Sequence, residues 1–253
     1  MARLSKKQDA YGQAIWDCYH QRGGYEINER DDGFVGVSMG PPAYLAEFED
    51  WPARQKQAIR LARGKVLDVG CGAGRVALHL QSKGLEATGI DVSPRAVEVC
   101  RLRGLKKAEV LSITQLGPKF GVFDTIVMYG NNFGLFGSFR RARWLLRRFR
   151  NLTTPAGRII AETNDPYGTG GPARPSRRCH LEYHKRNRKR GRMGGQVRIR
   201  ARYLTYATPW FDYLMVSKDE MRRIVAGTGW KITRFFDSKG SGYVAVLEKE
   251  HSP

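Results

Sequence analysis

The chain is expected to be an α/β protein with a mostly parallel sheet, and three features of its 253 residues predict this. Short apolar runs alternate with helical stretches of about 10–14 residues from Lys65 to Thr163. A glycine-bearing turn follows the first run, and the chain ends in two strands joined by a turn instead of another crossover.

In order, residues 1–60 read as a helical, aromatic-rich lead-in or cap: a helix around Ala10–His20, a Gly/Asp-rich turn region, and a second helix ending near Arg63. Within 61–163, the core, Lys65–Val69 is a strand, Gly74–Lys83 a helix and Glu86–Ile90 a second strand. Ser93-Pro94 then supplies an N-cap and a proline at the first helical position, opening a helix to about Arg103. Ala108–Leu111 and Phe123–Met128 are strands, Ser138–Asn151 a helix with Ala142, Leu145, Leu146 and Phe149 on its core face, and Gly157–Glu162 a strand. Strands and helices in this order build right-handed βαβ units. The alternation breaks in 164–216, a basic, aromatic, Gly/Pro-rich insertion or cap. There Gln196–Tyr206 alternates as a strand and Trp210–Val216 is an extended run able to pair with it. Residues 217–253 complete the core, with a helix over Lys218–Ala226 and strands over Lys231–Phe236 and Tyr243–Glu248.

Composition narrows the function classes. Apolar residues make up 41%, enough for a sizeable core. Cys18, Cys71, Cys100 and Cys179 form no C-x-x-C pair, which speaks against a zinc site or a disulfide framework and for a reducing cytoplasm. The N-terminus has no apolar signal region and no stretch reaches the ~18 apolar residues of a membrane span, so a soluble cytoplasmic protein is expected. The net charge of +20 is segregated: residues 174–202 hold twelve Lys/Arg against Glu182 alone, and 139–150 hold six arginines and no acid. Residues 26–50 hold seven acids and one base, Arg30.

The turn after the first strand reads V-L-D-V-G-C-G-A-G, Val66 to Gly74. Gly70, Gly72 and Gly74 leave the backbone free of Cβ atoms where it must approach a ligand. Dinucleotide-binding folds also use a glycine triplet, but with G-x-G-x-x-G spacing, whereas this is G-x-G-x-G. Asp68 lies two residues before the first glycine, able to cap its own turn. Asp91 closes the second strand in G-I-D-V-S, 21 residues after Gly70, where a carboxylate can accept both hydroxyls of a ribose.

V-L-D-V-G-C-G-A-G-R followed by G-I-D-V-S-P resembles the first two motifs of the class I S-adenosylmethionine methyltransferases. The resemblance runs from Lys65 onward. It implies a Rossmann-like seven-stranded sheet, mostly parallel with an antiparallel last strand, helices on both faces and cap elements. It also implies S-adenosyl-L-methionine as cofactor. Gly70, Cys71, Gly72 and Gly74 would wrap the methionine part, Asp91 would take the ribose, and Ser112 and Ile113 would flank the adenine, with Asp68, Arg75 and Val92 also binding the cofactor. Gly130 and Asn131 would lie beside the transferred methyl. The stretches E-R-D-D-G (29–33), D-W-P (50–52), G-N-N-F-G (130–134) and P-W-F-D-Y-L (209–214) resemble a bacterial or archaeal group of that family and do not name an acceptor.

For the acceptor, M-Y-G-N-N-F-G after the fourth strand is not the (D/N)-P-P-Y of enzymes that methylate amino groups of nucleic acids. Asn164-Asp165-Pro166-Tyr167 follows the fifth strand, and no Pro-Cys supplies a cytosine nucleophile. A small-molecule acceptor is therefore expected in a pocket walled by the cap. Tyr44, Trp51, Asn132, Tyr183 and Trp210 are substrate candidates, and Asn131, His180 and His184 catalytic ones. His180 and His184 share a helical face but lack a third ligand, so no metal is expected. Two alternatives remain: an RNA methyltransferase gripping phosphates with the 174–202 arm, and a non-catalytic module that keeps the fold as a scaffold. Trp144 lies opposite the core face of its helix, among arginines, where it can stack a base or pack against a second subunit in a homodimer.

Overall fold

The computed structural model describes residues 4–38, 40–168 and 174–250. Helix α1 (Ala10–Tyr19) starts at Asp9, whose carboxylate accepts from the Gly12 amide at 3.1 Å. Where a turn region is expected, strands β1 (Glu26–Arg30) and β2 (Val35–Ser38) form an antiparallel hairpin. In place of one second helix come the short α2 (Gly40–Leu45) and α3 (Ala53–Ile59). The core then follows the expected alternation: β3 (Lys65–Val69), α4 (Arg75–Ser82), β4 (Glu86–Asp91), α5 (Pro94–Leu102) and β5 (Ala108–Val110). It continues with β6 (Phe123–Met128), α6 (Phe139–Asn151) and β7 (Thr153–Asn164).

Beyond β7 the expected irregular stretch contains a helix, α7 (Arg174–Lys189). Strands β8 (Gln196–Tyr203), β9 (Tyr206–Ala207) and β10 (Phe211–Leu214) come next. Helix α8 (Lys218–Val225) and the hairpin β11 (Trp230–Asp237) and β12 (Gly242–Lys249) finish the fold.

The main sheet has seven strands in the order β11-β12-β7-β6-β3-β4-β5, and β12, antiparallel to both its neighbours, is the one reversed strand. Neighbouring residues of its strands bury into opposite faces. Leu67, Ile126 and Ile159 join α6 and α8 in one core, while Val66, Val127 and Ile160 join α3, α4 and α5 in the other. This is why those strands read as unbroken apolar runs.

The second sheet has the order β10-β8-β1-β2, with β9 on the edge of β8. Asn28 of β1 pairs with Ala201 of β8, so the two segments flanking the core sequence meet in one antiparallel layer. That pairing also brings the segregated charges together. Glu29 bonds Arg200 at 2.8 Å and Arg202 at 3.4 Å, and Asp32 bonds Arg30 at 2.7 Å and Arg186 at 2.8 Å. On α6, Arg143 donates to the carbonyl of Ile224 at 3.0 Å and Arg148 to that of Leu116, so these arginines satisfy backbone oxygens at α8 and a core loop. Trp144 stays 45% exposed beside them.

Candidate active site

A cavity of about 730 Å³ lies between the carboxyl ends of the main sheet and the inner face of the second sheet. Its floor is the loops after β3, β4, β5 and β6, where open α/β sheets bind ligands. Its roof is the face of β1 and β10, and α1 and α2 close one side.

The glycine loop is held from below. Gly70 (φ +71°) and Gly72 (φ +54°) both sit in the left-handed region. The amides of Gly70 and Cys71 donate to the Ile90 carbonyl at 2.9 and 3.0 Å, and that of Gly72 to Asp91 Oδ2 at 3.0 Å. These amides tie the loop to the end of β4 and are not free to point into the crevice. Asn132, a substrate candidate, braces the loop through Nδ2, which donates to the carbonyls of Val69 (3.0 Å) and Gly70 (2.8 Å). Asp68 caps the first turn of α4 by accepting from the Ala77 amide at 3.2 Å, and burial pushes its carboxyl up to about 7. The Cys71 side chain turns into the core, 3.8 Å from Cys100 Sγ, and Gly74 closes the loop off the cavity wall.

Backbone is bare where a ligand would lie along the loop: a Cβ on Gly72 would meet nothing closer than 3.9 Å, at Ile15 and Tyr44. Asp91 accepts from the amides of Gly72 and Ser93 (2.9 Å), and burial pushes its carboxyl up to about 6. A carboxylate has about four lone-pair sites, so a vicinal diol can still donate to it. Val92, Ser112 and Ile113 continue the wall. These residues fit a nucleoside with a flexible tail.

Arg75 is braced by Gln55 Oε1 (3.0 Å from both terminal nitrogens) and lies 4.6 Å over the Trp51 ring. Trp51 touches the cavity but is 3% exposed and donates through Nε1 to the Ala46 carbonyl, so it acts mainly as packing. After β6, Gly130 donates its amide to Glu162 Oε2 at 2.8 Å. Asn131 (φ +66°) accepts the Asn164 amide on Oδ1 and the Tyr213 hydroxyl, at 2.6 Å, on its carbonyl.

On the roof, alternate β1 residues Glu26, Asn28 and Arg30 face the cavity. Glu26 accepts from Asn28 Nδ2 (2.6 Å) and from the Tyr44 hydroxyl (2.8 Å). Arg30 Nη1 lies 2.8 Å from His180 Nδ1. A guanidinium only donates, which assigns Nδ1 as acceptor and places the neutral ring's proton on Nε2. Burial, and then the Arg30 charge, hold the His180 pKa below the ordinary value. His180 on the wall is thus a neutral ring with one donor, poorly suited to storing a proton.

Three candidates lie off the cavity wall. His184 is buried beside the Tyr167 ring, its nitrogens without hydrogen-bond partners among the described residues, and burial pushes its pKa down to about 4. Its spacing from His180 is helical, but the helix turns it into packing. The Tyr183 hydroxyl donates to Asp31 at 2.6 Å while its ring lies 4.2 Å under Arg30, so it supports that guanidinium from behind. Trp210 is partly buried under Arg200, 4.8 Å from its ring. Tyr11, Glu26, Asn28, Arg30 and Glu162 also line the cavity, and no sequence motif marks them as site residues. The segment E-I-N-E-R, polar at four of its five positions, carries no alternation that would signal the β1 face. Among the described residues no three His, Cys, Asp or Glu side chains are grouped to hold a metal, and no helix is long and apolar enough to cross a membrane.

A family model described as a methyltransferase domain matches residues 66–157. The ubiquinone biosynthesis O-methyltransferase of Xanthomonas oryzae pv. oryzae is 38% identical over 74 residues, 27% of this chain and 31% of that protein. The chain thus spans about a third of the length of the first curated relatives it matches. A methyltransferase structure from Bacteroides fragilis in complex with S-adenosyl-L-homocysteine is similar along 98% of both chains, with a TM-score of 0.80 and 25% identity. The CcbJ methyltransferase of Streptomyces caelestis shares the fold at 15% identity, with a TM-score of 0.56 over 81% of this chain and 95% of its own.

Proposed function

We propose that the chain is a class I S-adenosylmethionine-dependent methyltransferase and that it transfers the methyl group of S-adenosylmethionine to a small molecule held in the capped cavity. The observation that carries this reading is the continuity of one cavity, from the glycine loop and Asp91 to the roof of β1 and β10. Its volume, about 730 Å³, falls in the upper part of the ~300–1,000 Å³ range of small-ligand sites. When bound, S-adenosylmethionine supplies a methyl group on a positively charged sulfur, open to in-line attack.

The chain's own residues position and desolvate. Gly70–Gly72 present backbone to the methionine side, Asp91 accepts the ribose hydroxyls, and Ser112 and Ile113 flank the adenine. Gly130 and Asn131 border the reacting end, where the bond from Tyr213 to the Asn131 carbonyl fixes the loop against the roof. Tyr11, Tyr44, Phe211 and Tyr213 keep water from the acceptor. His180 serves the acceptor as a hydrogen-bond donor through Nε2. Pairing of the hairpin's acids with bases of α7 and β8 favours a small acceptor over a nucleotide chain. Four unbonded cysteines, two of them 3.8 Å apart, suit the reducing cytoplasm.

Titration calorimetry with S-adenosylhomocysteine tests this reading. One site per chain is expected, weakened at least thirtyfold in Asp91→Ala, since hydrogen bonds to a charged group contribute ~1.5–3 kcal/mol each. No binding, or wild-type binding by a folded Asp91→Ala, overturns it.

A further inference from the structure

Glu26 sets the acceptor half of the cavity apart. It is 6% exposed, lies on the cavity wall, and its two hydrogen-bond donors, Asn28 and Tyr44, are neutral. Of the other enclosed carboxylates of the wall, Glu162 pairs with Arg54 at 2.8 Å and Asp68 feels the Arg75 charge, while Asp91, which like Glu26 accepts from neutral donors, is the group proposed to take the ribose hydroxyls. Among the described residues, no lysine, arginine or histidine forms a salt bridge with Glu26. A buried carboxylate without a countercharge is costly unless a ligand brings one.

One tyrosine contacts that carboxylate and two more line the same cavity. The Tyr44 hydroxyl donates to it directly. Tyr11 donates at 3.5 Å to Asn28 Oδ1, and the Asn28 amide donates back to Glu26. Tyr213 lines the same cavity and is anchored to Asn131 beside the reacting end. After burial, the Glu26 charge is the largest influence raising the pKa of all three phenols, so the three rings share one acidic neighbour. Aromatic faces around a carboxylate attract a desolvated cation.

Resting on the methyltransferase reading above, we propose that the acceptor is a compact amine, captured as its ammonium ion by Glu26 inside the cage of Tyr11, Tyr44 and Tyr213. Glu26 first takes one proton from the ammonium. The neutral nitrogen's lone pair then forms the new N–CH₃ bond while the C–S bond of S-adenosylmethionine breaks and leaves its electron pair on sulfur. The products are a methylated ammonium and S-adenosylhomocysteine, and the proton on Glu26 returns to solvent.

The test uses the full chain, S-adenosylmethionine carrying a labelled methyl group, and a cell filtrate below 1 kDa resolved by cation exchange and mass spectrometry. Label is expected on an amine nitrogen, with kcat/KM for that amine falling at least a hundredfold in Glu26→Gln while S-adenosylhomocysteine affinity stays within threefold. Tyr11→Leu, which leaves the carboxylate in place, is expected to raise the KM of the amine about tenfold with little change in kcat. Label confined to hydroxyl or carboxyl acceptors, absence of label from every amine, or full amine transfer by Glu26→Gln overturns the amine assignment. Should Glu26→Gln not fold, the identity of the labelled atom and the Tyr11→Leu result decide. Failure of the wild type to bind S-adenosylhomocysteine overturns the methyltransferase reading instead.

Discussion

Alanine at Gly72 and alanine at Gly70 should fail in different ways. Both positions have positive φ, +54° and +71°, so each substitution pays ~1–2 kcal/mol for a Cβ in the left-handed region. At Gly72 the new Cβ meets nothing nearer than 3.9 Å and projects between Ile15 and Tyr44 into the cavity. The protein itself loses only that strain, roughly 2–8 °C in Tm for a chain of this size. The cofactor loses its close approach to the backbone, and S-adenosylhomocysteine affinity should fall at least tenfold, about 1.4 kcal/mol. At Gly70 the Cβ would lie 2.5 Å from Asn132 Nδ2 and 2.9 Å from Leu135 Cδ1. Asn132 must leave the carbonyls of Val69 and Gly70, adding two hydrogen bonds at ~0.5–1.5 kcal/mol each to the strain, for a total of ~2–5 kcal/mol. Thermal denaturation without ligand and calorimetry with S-adenosylhomocysteine separate the two effects. Wild-type affinity in Gly72→Ala, or equal stability of the two variants, would contradict these roles of the two glycines.

Asp91 must be ionised to accept two hydroxyls, and burial raises its pKa to about 6. Affinity for S-adenosylhomocysteine should therefore fall about tenfold between pH 7 and pH 5, and Asp91→Asn, weaker throughout, should show a flatter profile. His184 has the opposite kind of shift, from an ordinary 6.5 down to about 4. The unfolded chain takes up a proton below pH 6.5 that the folded chain refuses until about pH 4, so the His184 contribution to stability is present above 6.5 and lost as pH falls through that window. The decline in Tm from pH 6.5 to 4 should be shallower in His184→Phe. Trp210→Ala, which removes a ring lying under Arg200 outside the cavity, should change kcat/KM less than threefold; a hundredfold loss would put Trp210 back on the acceptor.

The core was legible because its signals are local. The β3–β7 strands are apolar on both faces, α5 announces itself with Ser93-Pro94, and the core face of α6 is Ala142, Leu145, Leu146 and Phe149, all fully buried. The cap was less legible for the same reason. The β1 strand turns Glu26, Asn28 and Arg30 toward a polar cavity, so it lacks the apolar stripe that marks a half-buried strand, and E-I-N-E-R reads as a loop. Helix α7 is rich in charge and poor in apolar residues, which hides its periodicity. Spacing put His180 and His184 on one face of α7, but only the partners decide their fates: Arg30 and the cavity for one, the Tyr167 ring for the other. The arginines of 174–202 looked like a phosphate grip because Glu29 and Asp32, which neutralise several of them, lie some 150 residues earlier.

The proposed function requires that one capped cavity bring S-adenosylmethionine and a small acceptor together. The most direct measurement incubates the purified protein and methyl-labelled S-adenosylmethionine with a cell extract, with and without nuclease, and separates products at 1 kDa. Label is expected in the fraction below 1 kDa, unchanged by nuclease and reduced at least thirtyfold with Asp91→Ala at sub-saturating cofactor. Label that stays above 1 kDa and disappears with nuclease would contradict the account and assign the basic arm a nucleic-acid substrate.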